Sequence, residues 1–93
     1  MKRFLVLSFL LSIAVSVSAQ VAGKVTDAAG QPLTGVSVFV KGTSAGAVTD
    51  LDGNYKIAAK EGTLVFNYTG FASQEIAIDG RQVINVTLTE IST

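Results

Sequence analysis

The 93-residue chain has seven Lys or Arg against seven Asp or Glu, no formal net charge, and no histidine, cysteine or tryptophan. These absences exclude Ser-His-Asp and Cys-His catalysis, the usual zinc sites and any disulfide. A chain of this length builds one small domain, and its few scattered cations form no stripe that could neutralise phosphates, so nucleic acid is not an expected partner.

At the amino terminus, Lys2 and Arg3 precede an apolar run from Phe4 to Val17 that is broken only by serines, and Val17, Ser18 and Ala19 supply small residues for cleavage. This pattern predicts a secretory signal peptide over residues 1–19. The run is shorter than the roughly 20 apolar residues a spanning helix needs, so no membrane span is expected in the mature chain. No cysteine follows the cut to carry a lipid anchor. The expected mature domain, residues 20–93, has five basic residues (Lys24, Lys41, Lys56, Lys60, Arg81) against seven acidic ones, a net charge of −2. Without disulfides to offset a small core, it must be held by sheet packing or by a neighbour.

Beyond residue 20 the apolar residues recur with period two, which predicts strands. A first strand is expected near Ala22 to Thr26. Val36, Val38 and Val40 then share one face, with Ser37, Phe39 and Lys41 on the other. A short strand near Ala47 to Thr49 follows, then Tyr55 and Ile57 alternating with Lys56 and Ala58. Leu64, Phe66 and Tyr68 make the next face, Ile76 and Ile78 another, and Ile84, Val86 and Leu88 the last. About seven short strands with no helical spacing between them suggest an all-β, two-sheet sandwich.

The breaks between these strands carry turn chemistry. The stretch DAAGQPLTG holds the single proline, Pro32, which cannot donate to a ladder and belongs in a loop or at an edge. In IDGRQV, Asp79 and Gly80 sit between apolar-alternating flanks, a strong hairpin signal. The stretch TDLDGNY is open to two readings. Asp50, Asp52 and Asn54 place oxygen atoms at alternate positions, with Glu61 where a calcium loop puts its last ligand. The bend position of that loop, however, holds Tyr55 in place of glycine, and the flanks alternate with period two instead of forming helices. The preferred reading is a tight turn in which Asp52 and Gly53 take positive φ and join a strand ending near Thr49 to one starting at Asn54. Two neighbouring carboxylates can still attract a hard cation weakly, so Asp50 and Asp52 are carried forward as a testable surface site.

The remaining candidates have plain alternatives. Two carboxylates could serve a glycosidase only across a sugar-sized cleft, and a small sandwich has little room for one. No Ser-Lys pair is singled out. Asn67-Tyr68-Thr69 and Asn85-Val86-Thr87 match the glycosylation sequon but fall within predicted strands. Phe39, Tyr55, Tyr68 and Phe71 could stack on sugars if exposed, although aromatics at alternating strand positions usually point into the core. No residue is assigned a catalytic, cofactor-binding or metal-binding role, and no cofactor is expected.

Several of these features together form a pattern. Gly23, the G-x-P-L-x-G loop at Gly30 to Gly35, V-K-G-T from Val40, T-D-x-D-G-x-Y from Thr49 and Y-x-G-F from Tyr68 occur in one order over Ala22 to Glu90. In this the chain resembles the carboxypeptidase-regulatory-like domain, and more narrowly its version at the N-terminus of SusC-type TonB-dependent outer-membrane transporters. The resemblance implies a seven-stranded, transthyretin-like Greek-key β-sandwich without enzymatic activity, located in the periplasm or on the periplasmic face of the outer membrane. It implies as partner a TonB-dependent transporter or its coupling protein, in the import of oligosaccharides or peptides. The plug and barrel of such a transporter would lie beyond Thr93, so the expectation is a piece of a longer protein, a truncated copy or a stand-alone module. A carbohydrate-binding module and a purely structural accessory domain are the alternative readings.

Overall fold

A computed structural model describes residues 19–91; the expected leader, apart from Ala19, lies outside the described residues. Seven strands are present among the described residues and no helix: β1 (Val21–Thr26), β2 (Ser37–Val40), β3 (Gly46–Val48), β4 (Asn54–Ile57), β5 (Thr63–Asn67), β6 (Gln74–Ala77) and β7 (Val86–Thr87). They form two sheets, one ordered β4-β1-β7 and the other β3-β2-β5-β6. β1 and β7 run parallel, and every other pair is antiparallel. This is the all-β sandwich that the alternating sequence predicts.

The alternation explains why each strand lies where it does, because only one face of each sheet can be packed against the other. Val38 and Val40 of β2 and Leu64 and Phe66 of β5 point inward from the larger sheet. Val21 and Val25 of β1, Tyr55 and Ile57 of β4, and Val86 of β7 meet them from the smaller one. Ile84 and Leu88 flank the short β7 ladder and are buried with it, their amides bonded to Ala22 and Thr26 carbonyls. Val65 departs from the alternation, since it is buried although it lies on the outer face of β5. Its ladder partners there are Phe39 on one side and Glu75 on the other.

Two local expectations need correction. The IDGR turn forms, with Asp79 at φ 52°, Gly80 at φ 74° and the Arg81 amide 2.9 Å from the Ile78 carbonyl. It does not make a hairpin: β6 belongs to the larger sheet, whereas the chain after Arg81 joins β1, with the Ala22 amide 3.0 Å from the Gln82 carbonyl. The 50–53 loop likewise links β3 in one sheet to β4 in the other. Turn chemistry reverses the chain over four residues, but the choice of ladder depends on where the next apolar residues can be buried.

One junction ties the layers together. Tyr55 of β4 lies opposite Gly23 of β1, and its phenol donates to the Ile84 carbonyl at 2.6 Å. The same ring meets Phe66 of the other sheet edge-on, with centroids 5.4 Å apart at 77°. Gly23 makes room for this contact, because a Cβ there would stand 1.9 Å from the Ile84 oxygen. Burial pushes the Tyr55 phenol up from an ordinary 10.0 to about 12, with the positive charge of Arg81 opposing.

Two predictions follow from this junction. Gly23→Ala forces backbone against backbone and should cost about 1–3 kcal/mol or more of unfolding free energy, read by urea denaturation. For Tyr55 the unfolded chain releases the phenolic proton first, so its contribution is complete below about pH 10 and declines as pH rises toward 12. Tyr55→Phe should cost about 1–3 kcal/mol at neutral pH by leaving a buried carbonyl unpaired, and should lack that alkaline decline in thermal melts.

Candidate functional site

The stretch TDLDGNY forms a loop closed on its own aspartate. Asp50 Oδ1 accepts from the amides of Asp52 and Asn54, each at 2.9 Å. The Asp50 amide donates to the Asn54 carbonyl at 3.0 Å, and the Gly53 amide donates to the Asp50 carbonyl at 2.9 Å. Of Asp52 and Gly53, only Gly53 takes positive φ, at 79°. The sequence reading that placed both residues there is therefore corrected: the loop needs a single left-handed residue at its fourth position. β4 carries the chain away from this loop before Glu61 is reached, so Glu61 does not join Asp50 and Asp52. No group of three or more His, Cys, Asp or Glu side chains is gathered to hold a metal among the described residues.

The same loop occurs twice. In TDAAGQ, Asp27 Oδ1 accepts from the amides of Ala29 and Gln31 at 2.9 Å, and Gly30 takes φ 83°. The Asp27 amide bonds the Gln31 carbonyl at 2.9 Å, and the Gly30 amide bonds the Asp27 carbonyl at 3.0 Å. Aspartate suits the first position because a carboxylate accepts two converging amides at once. The two loops adjoin through β1, with the Val25 amide on the Gly53 carbonyl at 2.8 Å and the Leu33 amide on the Val25 carbonyl at 3.0 Å. Thr49 is buried beside them, its hydroxyl donating to the Leu33 carbonyl at 2.6 Å and accepting from the Val36 amide at 2.9 Å. Thr49 opens the T-D-x-D-G-x-Y stretch, but nothing in the sequence pattern marked this bridging role.

The four strand edges differ in how they are covered. On β4, both backbone groups of Asn54 are taken by Asp50, and the next outward position is Lys56, a residue type that blunts edges. On β6, Arg81 donates to the carbonyls of Ala77 and Ile78. The segment before β6 pairs with the end of the chain through Ala72 and Thr89, at 2.9 Å. β7 is closed from the same side, its Thr87 carbonyl accepting from Gln74 Nε2 at 2.6 Å. β3 is different. The bonds from Val40 to Ala45 and from Thr49 to Val36 set its register on β2, so the amides and carbonyls of Gly46 and Val48 point away from the sheet. Val48 is 64% exposed, and nearby Leu51 at the loop tip is 83% exposed. Sequence reasoning placed a strand here but could not show that its outer edge is free.

The aromatic residues do not assemble into a platform. Tyr55 is in the core and Phe39 is on the outer face of the larger sheet, while Tyr68 and Phe71 pack on each other with centroids 5.3 Å apart at 42°. Tyr68 lines a shallow hollow with Gly35, Ser37, Asn67 and Thr69.

A family profile described as the CarboxypepD_reg-like domain matches residues 21–92. The chain belongs to the CarboxypepD_reg-like domain family. It is similar to segments of three larger proteins: TonB-dependent receptors P3 and P39 of Formosa agariphila and TonB-dependent receptor SusC of Bacteroides thetaiotaomicron. Identity is 43% over 86% of this chain for P3, 40% over 80% for P39 and 42% over 62% for SusC. The matched part is 9%, 7% and 6% of those proteins, so the domain spans less than a tenth of their length. Among solved structures, a chain of a type II cohesin–X-dockerin complex from Acetivibrio cellulolyticus shares the fold, with a TM-score of 0.63 and 21% identity. That alignment covers 77% of this chain and 58% of the other. The sandwich read from the strand pattern is thus found in a solved structure by shape alone. No described helix is long and apolar enough to cross a membrane.

If Asp50 is a structural cap in this CarboxypepD_reg-like domain, Asp50→Ala should lower stability by about 0.5–2 kcal/mol, as loss of a helix cap does. Asp50→Asn, which retains one acceptor oxygen, should cost less. Paired urea melts of the two variants make the comparison, and equal losses would count against the cap.

Proposed function

We propose that this domain is a non-catalytic interaction module of TonB-dependent nutrient import, acting in the periplasm or on the periplasmic face of the outer membrane. It would serve as the N-terminal part of such a receptor or as a truncated copy of one. The observation that carries the reading is the 40–43% identity to TonB-dependent receptors P39 and P3 over most of the chain. The expected leader at residues 1–19 supports export, and the lack of histidine and cysteine supports a role without chemistry. Oligosaccharides or peptides are the cargo class of the proposed pathway.

The free edge of β3 supplies a physical means of contact. An extended segment of the transporter or of its coupling protein can add to β3 as a further strand, bonding to the backbone of Gly46 and Val48. Val48 and Leu51 offer apolar surface beside that ladder, and Asp50 and Asp52 give its end a negative charge. A basic residue in the incoming strand would complement that charge.

Capture from an envelope extract with the immobilised domain tests the proposal, with recovery of a TonB-dependent transporter or an energy-coupling protein as the expected result. Val48→Lys puts a charge on the exposed edge, should change stability by no more than about 0.5 kcal/mol, and should reduce capture several-fold. Recovery of neither partner under conditions that preserve weak complexes would refute the reading. Undiminished capture by the lysine variant would refute β3 as the contact.

A further inference from the structure

The chain contains two Asp-Gly dipeptides, Asp52-Gly53 and Asp79-Gly80, and the fold treats them in opposite ways. In an Asp-Gly pair the glycine amide can attack the aspartate side chain, because no Cβ hinders its approach. Whether it does depends on whether that amide is free and whether the chain can move.

At Asp52 the reaction is blocked. The Gly53 amide is held by the Asp50 carbonyl at 2.9 Å, and the amide of Asp52 itself is held by Asp50 Oδ1. Gly53 is buried, and a Cβ built on it would stand 2.6 Å from the Val25 carbonyl, so β1 closes over it. The loop has to open before the nitrogen can be used.

At Asp79 these restraints are missing. Asp79 and Gly80 are both exposed, and neither the Gly80 amide nor the Asp79 carboxylate has a hydrogen-bond partner among the described residues. Asp79 is also the one described residue other than glycine in the left-handed region, at φ 52°, a conformation that residues with a Cβ seldom adopt. The turn is closed by a single backbone bond, from the Arg81 amide to the Ile78 carbonyl.

We infer that Asp79 is a site of spontaneous isoaspartate formation and that Asp52 is protected from it by the fold. The Gly80 nitrogen bonds to Asp79 Cγ while a carboxyl oxygen leaves as water, which gives a cyclic succinimide. A water molecule then adds to the main-chain carbonyl carbon of Asp79 and breaks its bond to the Gly80 nitrogen. The product is joined through the side-chain carbon, with the former main-chain carbonyl now a free carboxylate. No oxidant, cofactor or enzyme is required, and the net mass is unchanged. The turn gains one backbone carbon between Ile78 and Arg81, next to the arginine that covers the β6 edge.

The test is to age the folded chain in warm, near-neutral buffer, digest it, and locate isoaspartate by electron-transfer fragmentation, with a urea-denatured sample in parallel. The denatured chain should convert at both dipeptides at similar rates. In the folded chain Asp79 should convert, while Asp52 should lag by about tenfold or more because local opening must precede reaction. Asp50→Ala, which loosens the protecting loop, should raise conversion at Asp52 and leave Asp79 unchanged. Equal rates at the two sites in the folded chain would overturn the inference, as would an unreactive Asp79 beside a reactive denatured control. Unaltered protection of Asp52 in the Asp50→Ala variant would also overturn it.

Discussion

The rest of the sandwich is arranged around the phenol of Tyr55. Its hydroxyl fixes the Ile84 carbonyl at 2.6 Å, its strand partner is Gly23, and its ring edge rests on Phe66 across the core. One side chain thereby joins β4, β1, the approach to β7 and the facing β5. The contact exists because Gly23 has no Cβ, which lets three backbone segments and a ring share a space where one methyl group would collide. In a domain without cysteine, a buried directional bond of this kind gives the layers a unique mutual position that apolar packing alone specifies less sharply.

The two Asp-x-x-Gly loops play a different part. Each closes on its own carboxylate and needs almost nothing from the rest of the fold, so the motif can be repeated where the chain passes from one sheet to the other. Their placement also has a consequence for contact with other proteins. By bonding both backbone groups of Asn54, Asp50 closes the start of the β4 edge, and Lys56 guards the rest. Arg81 covers the Ala77 end of β6 and the pairing near Ala72 closes the segment before it, with the charged Glu75 between them. The open backbone at Gly46 and Val48 differs from that at Lys56 and Glu75 in having no charged side chain beside it.

The architecture was legible to different depths. Period-two spacing located all seven strands, because burial on one face imposes the same alternation on sequence and structure. The fold class and the inward direction of Tyr55, Leu64 and Phe66 came with it. The motif series, read together, pointed to the family that the profile match then established. Pairing was not legible. IDGR and TDLDGNY have hairpin chemistry, yet both join strands of different sheets, because four residues fix a reversal of direction but carry no information about which ladder has space for the next strand. The burial of Val65 was not legible for a related reason, since on an outer face it depends on neighbours distant in sequence.

The sequence by itself determined the chemistry that is impossible, the period of the strands and the sites of the turns, all of which depend on residue type and near neighbours. Only the tertiary structure decided that Thr49 is a buried bridge and that β3 keeps a free edge. It also decided that two identical Asp-Gly dipeptides have different surroundings. Each of these turns on whether a particular amide or carbonyl finds a partner, and most of those partners come from a strand or loop elsewhere in the chain. That is a property of three-dimensional arrangement which no local pattern encodes.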